Sequence, residues 1–303
     1  MAPTSTSFGR RLRAASDAHG PLCVGIDPHE ALLRDWGLPL DAAGVREFGL
    51  RTVDAAASRV GVVKPQVSFF ERWGSAGLAA LEEVLAAARA AGLVVIADAK
   101  RGDIGTTMDA YAAAWLTPGS PLEADAVTVS PYLGVGALTS TFQLALEHGK
   151  GVFVLAATSN PEARALQRAI VHAGAPVPPF PSDGPADPSA LPQTVAHHVI
   201  QETSAWARPR TAAGDWSSLG FVIGATVDRH ERGLPDVLWP PAPILAPGFG
   251  AQGAEPADLD RVFGRLAATV IASESRSILS AGPDGLAARI GERAGLYRGK
   301  SHG

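Results

Sequence analysis

Four residues whose types could do chemistry recur in a short compass: Asp98, Lys100 and Asp103 in one stretch, and Lys64 upstream of them. Two ammonium groups and two carboxylates on one rim would make a preorganised electrostatic site, able to hold developing charge and deliver a proton. The same four groups could instead tie neighbouring strands together as an ion-pair network, because buried charges require partners. Asp98 and Lys100 stand two apart after the apolar run VVIA, and on an extended strand that spacing turns both to one side. Gly102 then lets the chain turn sharply, and Asp103 stands where a helix would begin, as its N-cap. Thr107 follows four residues later, on the same helical face.

A second group is APGFGAQG at 246–253. Gly248 and Gly250 allow backbone N–H groups to approach an anion, and Gln252 can donate from its side chain. The stretch SESRSI at 273–278 brings the guanidinium of Arg276 beside that loop. An ion pair between Arg276 and Glu274 is the alternative use of that cation.

The elements that must position these groups form a rhythm. Eight apolar or β-branched runs fall at 22–26, 61–64, 93–97, 126–129, 152–156, 221–225, 244–246 and 269–272. Most are bounded by Gly or Pro, and they read as buried parallel strands. Between them lie Ala/Leu/Arg/Glu-rich segments with helical spacing, such as 78–91, which Gly92 closes at its C-cap. Alternation of this kind predicts a parallel sheet with helical crossovers, and eight units fit a (β/α)₈ barrel better than an open sheet. No GxGxxG follows the first run, which argues against a dinucleotide fold.

Catalytic groups of a β/α barrel sit at the C-terminal strand ends. The residues closing the runs here are Asp27, Lys64, Asp98 with Lys100, Ser130, Ser159, Thr226, the glycine loop and Arg276. Loops after strands seven and eight are the usual phosphate site of this architecture. The whole of 1–303 reads as one barrel domain. Within it, 1–20 supplies a helix covering the barrel bottom, and a proline-rich insertion at 173–192 lies between the fifth and sixth strands.

With 303 residues, 46% of them hydrophobic, the chain can bury a sizeable core, and its net charge of −4 offers no global field for nucleic acid or anionic lipid. Cys23, the single cysteine, lies in an apolar run and reads as a buried strand residue. Without a disulfide, a signal peptide or a bilayer-spanning run, a cytoplasmic protein is expected.

DAKRGDIGTT at 98–107 resembles the D-x-K-x-x-D signature of the orotidine 5′-phosphate decarboxylase family. VGIDP at 24–28, KPQVSFFE at 64–71, TSN at 158–160 and PGFGAQG at 247–253 agree with it and come in the family's order. The KPQ and FFE forms and the insertion are similar to the longer bacterial subgroup. The resemblance covers Leu22 to about Leu279, and implies loss of CO₂ from orotidine 5′-monophosphate to give UMP. It implies that Lys100 protonates C6, that Asp98 lies beside the substrate carboxylate, and that Lys64 holds Asp98 and a ribose hydroxyl. Asp103 and Thr107 would serve the neighbouring subunit's site across a homodimer interface. Asp27 would bind ribose, Ser159 the pyrimidine edge, and Gln252 with Arg276 the phosphate. No metal or cofactor is implied.

The chemistry suits these residue types, since losing CO₂ leaves a carbanion with no conventional electron sink, which fixed charge must stabilise. A magnesium-dependent sugar-phosphate lyase or aldolase of the same superfamily is the nearest rival. Those relatives resemble each other in a carboxylate at the end of strand two, where this chain has Lys64, a cation that would oppose Mg²⁺. A non-catalytic barrel binding a phosphate ligand is a further alternative, and it would have no use for a costly Lys/Asp array.

Overall fold

The computed structural model describes residues 6–171 and 193–298. Eight parallel strands close into a barrel: β1 (Leu22–Ile26), β2 (Val62–Pro65), β3 (Val94–Arg101), β4 (Ala126–Val129), β5 (Gly151–Ala157), β8 (Leu219–Ile223), β9 (Ile244–Pro247) and β10 (Val270–Glu274). The (β/α)₈ expectation is met. Two short strands outside the barrel, β6 (Ile170–Val171) and β7 (Gln193–Thr194), pair antiparallel with Ile170 opposite Thr194. The proline-rich stretch 173–192 itself lies outside the described residues.

The strands alternate between two apolar environments, as a pleated strand must. Cys23, Val62, Val94, Ile96, Ala126, Phe153, Val222, Leu245 and Ile271 share the small cluster inside the barrel. Val24, Val63, Val95, Val127, Val152 and Phe221 pack in the larger cluster with the helices. Inward residues therefore recur every second position, and Asp27, Lys64, Asp98 and Thr128 continue that inward series past the apolar plug.

The helix Phe8–His19 closes the N-terminal end of the barrel. Phe8 and Leu12 are fully buried in the interior cluster, each contributing about 1.5–3 kcal/mol by burial. Gly151 is required there, because a Cβ would come within 2.2 Å of the Phe8 ring. Arg11 anchors the helix by donating to Asp125 Oδ1 at 2.7 Å and to the carbonyl of Gly149 at 3.0 Å. Asp125 also accepts from the β3 amide of Val95 at 2.9 Å.

The helix anticipated at 78–91 spans Gly74–Ala90. Its end is a Schellman motif: Gly92, at φ 77°, donates to the Arg89 carbonyl, and Leu93 donates to that of Ala88. Among the described residues, no helix is long and apolar enough to cross a membrane.

Candidate active site

β2, β3 and β4 bring the polar groups together at their C-terminal ends. Lys64 Nζ donates to Asp98 Oδ2 at 2.8 Å, and Lys100 Nζ donates to Asp98 Oδ1 at 2.5 Å. The hydroxyl of Thr128 donates to the same Oδ1 at 3.0 Å. Asp98 and Lys64 are buried, at 8% and 5% exposure, whereas the Lys100 side chain is 45% exposed and faces the rim. Burial opposes the charge on Asp98, yet Lys64 and Lys100 hold its carboxyl well below the usual carboxylate range. Burial likewise opposes the charge on Lys64, but Asp98 and then Asp27 outweigh it and raise its pKa above the ordinary lysine value. Asp98 and Lys64 are therefore both charged in the neutral range, with Lys64 buried and Lys100 presented at the mouth.

Asp27 sits one strand away, on the chain just past β1. Its Oδ1 is buried and has no hydrogen-bond partner among the described residues. An acceptor left open in this way is suited to a hydroxyl donor from a ligand. Gln66 ties the strand ends together, its amide donating to the Ile26 carbonyl at 3.1 Å and its side chain to the Asp98 carbonyl at 3.3 Å. Cys23 lies below, fully buried, and burial pushes its thiol up to about 12, as befits a packing residue.

Asp98 and Lys100 do face one another, but not by simple alternation. Lys100 has φ 48°, a left-handed conformation that costs a residue with a side chain about 1–2 kcal/mol. The register between β3 and β4 shifts between Ala97 and Arg101 at the same place. The turn expected at Gly102 is also different: its φ is not positive, and its missing Cβ serves a close approach, 2.7 Å from the Ser130 carbonyl. Asp103 is not an N-cap. The following helix spans Gly105–Leu116 with Ile104 at the cap position and no side-chain cap bond. Asp103 lies ahead of that helix, so it does not share a helical face with Thr107, and its Oδ1 accepts from the Ile104 amide at 2.8 Å. Thr107 is exposed, as is Ile104 beside it.

The glycine loop after β9 has left-handed backbone at Gly248, Gly250 and Gly253, with φ 119°, 69° and 104°. It closes on itself, with Gly250 N–H donating to the Ala254 carbonyl at 2.7 Å. A Cβ at Gly250 would lie 2.5 Å from Ser277 Oγ and 2.9 Å from Glu274 Oε2, so the loop rests on the end of β10. Gln252 is exposed.

The alternative pair between Arg276 and Glu274 is overturned. Glu274 accepts from Arg293 Nε at 2.9 Å, Arg293 Nη2 at 2.8 Å, the Tyr297 hydroxyl at 2.7 Å and Ser277 at 2.7 Å. Arg276, at the start of the helix Arg276–Leu279, is exposed and has no partner among the described residues. Nothing in the spacing of Glu274, Arg293 and Tyr297 signals this network, which joins a strand end to the last helix. Thr128 escaped the sequence reading too, although its inward position two residues after Ala126 could have revealed it.

Ser159 follows β5 and is exposed, with its Cβ 3.4 Å from the position a Cβ would take at Gly224, just beyond β8. Its neighbour Thr158 is held by Gln167, whose Nε2 donates to Thr158 Oγ1 at 2.9 Å and whose Oε1 accepts from Arg232 at 2.7 Å.

Fold and site together define the class: a (β/α)₈ barrel carrying a Lys/Asp array on its C-terminal rim, beside a glycine loop and an unpaired arginine. Residues 20–178 match the orotidine 5′-phosphate decarboxylase / HUMPS family. An orotidine 5′-phosphate decarboxylase of Salinispora tropica is 50% identical over 286 residues, covering 93% of each chain. One from Corynebacterium glutamicum is 46% identical over 278 residues, covering 92% of each. A solved structure from Streptomyces avermitilis, assigned as the same enzyme, superposes with a TM-score of 0.86 at 44% identity, over 99% of this chain and 98% of that one. The chain belongs to the orotidine 5′-phosphate decarboxylase family.

Proposed function

We propose that the chain removes CO₂ from orotidine 5′-monophosphate to give UMP, the last step of de novo pyrimidine nucleotide synthesis. The observation that carries this reading is the Lys64–Asp98–Lys100 array, two members buried and Lys100 at the rim, with a lysine closing β2. Breaking the bond from C6 to the carboxylate leaves the electron pair on C6, and CO₂ departs. The ammonium of Lys100 stabilises that pair and then gives its proton to C6, forming the C–H bond of UMP. Asp98, beside the substrate carboxylate, keeps Lys100 aligned, and Lys64 holds Asp98 and a ribose hydroxyl. A barrier of this kind has to fall by on the order of 20 kcal/mol, more than one ammonium supplies. Binding energy from the remote phosphate makes up part of it.

The open Oδ1 of Asp27 accepts a ribose hydroxyl, Ser159 meets the pyrimidine edge, and the phosphate takes the amides around Gly248 and Gly250 with Gln252 and Arg276. Asp103 and Thr107 complete the site of a second copy in a homodimer, and the enzyme works in the cytoplasm. The decisive experiment is a spectrophotometric assay with orotidine 5′-monophosphate after exhaustive EDTA treatment. Turnover should persist without added metal. Activity lost on chelation and restored by Mg²⁺ would favour the sugar-phosphate lyase reading, and tight binding without turnover the binding-barrel reading.

A further inference from the structure

We infer that Thr128 is a positioning residue, whose hydroxyl fixes Lys100 against Asp98. Thr128 lies in β4 at 1% exposure, on the inward face. Its Oγ1 accepts from the Lys100 amide at 2.9 Å and donates to Asp98 Oδ1 at 3.0 Å. Asp98 Oδ1 in turn accepts from Lys100 Nζ at 2.5 Å. The three residues thus close a ring: Lys100 N–H to Thr128, Thr128 to Asp98, and Lys100 ammonium to Asp98.

A hydroxyl carries one proton and two lone pairs, so these two partners settle its orientation. The carboxylate can only accept and the amide can only donate. The ring matters because Lys100 is left-handed at the point where β3 and β4 lose register. Conformations of this sort persist only where the surroundings over-determine them. On the far side, Arg101 is pinned by its ion pair with Glu71, by the rings of Tyr111 and Trp115, and by the Ser130 amide on its carbonyl. Thr128 is the matching anchor on the near side, taking the Lys100 amide that the shifted ladder leaves over. Without it, the backbone of Lys100 is free to relax and to swing the ammonium off Asp98.

The kinetic consequence rests on the proposed decarboxylation, whereas the geometric one does not. Thr128→Val keeps the shape and removes both hydrogen bonds. On orotidine 5′-monophosphate it should lower kcat about 100-fold, a loss typical of a misplaced reacting group, and change KM less than about 3-fold. Thr128→Ser should restore kcat to within a few-fold of wild type. In a crystal structure of Thr128→Val, Lys100 should leave the left-handed region and Nζ should move off Asp98 Oδ1. Unchanged kcat in folded Thr128→Val, or a Ser variant as impaired as Val, overturns the inference. Should the Val variant not fold, Thr128→Cys, with its weak donor and acceptor, carries the same expectations. If the wild type proves inactive on this substrate, the function reading fails and the crystal structures decide alone. An unmoved Lys100 then overturns the positioning role.

Discussion

Arg293 grips both carboxylate oxygens of Glu274, from Nε at 2.9 Å and from Nη2 at 2.8 Å. Nineteen positions separate them in the chain, across the link from β10 to the last helix, Gly282–Arg298. The pairing has a consequence for the site. A carboxylate directly beneath Gly250 would repel a phosphate, and Arg293 cancels its charge while leaving Arg276 unpaired for a ligand.

Arg276→Ala should therefore weaken catalysis on the phosphorylated substrate by removing a charge-assisted bond. Decarboxylation of a truncated substrate lacking phosphate should scarcely change. Comparing kcat/KM for the two substrates checks this, and equal losses would mean that Arg276 is a structural residue.

Arg293→Ala should leave the fully buried carboxylate of Glu274 without its cation, at a cost of about 3–5 kcal/mol in stability. Urea unfolding at neutral pH measures it. Arg293→Lys should recover part of the loss only, because an ammonium cannot reproduce the two-pronged contact. A loss below about 1 kcal/mol for the Ala variant, the range of surface pairs, would show that the network carries little weight.

Lys100→Ala should retain binding of UMP in some degree while nearly abolishing turnover, since the proposed proton donor is gone. Calorimetric titration with UMP, set beside the activity assay, separates the two effects. Near-wild-type turnover in this variant would remove Lys100 from the reaction.

The pH behaviour of Asp98 follows from its depressed pKa. Its folded value lies below the unfolded value of about 3.9, so its contribution to stability is complete above that pH. It is lost progressively as pH falls from there towards the lower, folded value, where none of it remains. The difference in unfolding free energy between wild type and Asp98→Asn should hence be the same at pH 7 and pH 5, and smaller at pH 3. Denaturant titrations at the three values test it, and a difference already shrinking by pH 5 would contradict the assignment.

The proposed sharing of sites across a homodimer predicts complementation. Lys100→Ala and Asp103→Ala proteins should each be nearly inactive. In a mixed dimer one site carries both lesions and its two-fold mate carries neither, so about half the sites should recover activity. Verified heterodimers without recovery would place Asp103 in its own subunit's site or outside it.

Much of this protein was legible along the chain, because strand and helix periodicities are local and a barrel repeats them. The eight runs, the helix ending at Gly92 and the placing of Lys64, Asp98 and Lys100 at strand ends all follow from spacing and punctuation. Asp27, Gly248, Gly250 and Arg276 were also identifiable, as residues just beyond apolar runs. Tertiary structure alone decided the rest. The left-handed Lys100 arises from a register shift against β4, which depends on how two strands meet, and no spacing within β3 encodes it. Asp103 lost its expected capping place for the same reason, since the chain leaves β3 along a path that Ser130 and Arg101 set. The partner of Glu274 was beyond reach of the sequence as well. Arg276 is two residues away and Arg293 nineteen, yet closure of the barrel and packing of the last helix bring the distant guanidinium to the buried carboxylate. The nearby one stays at the surface, where water already solvates it and an ion pair would gain little.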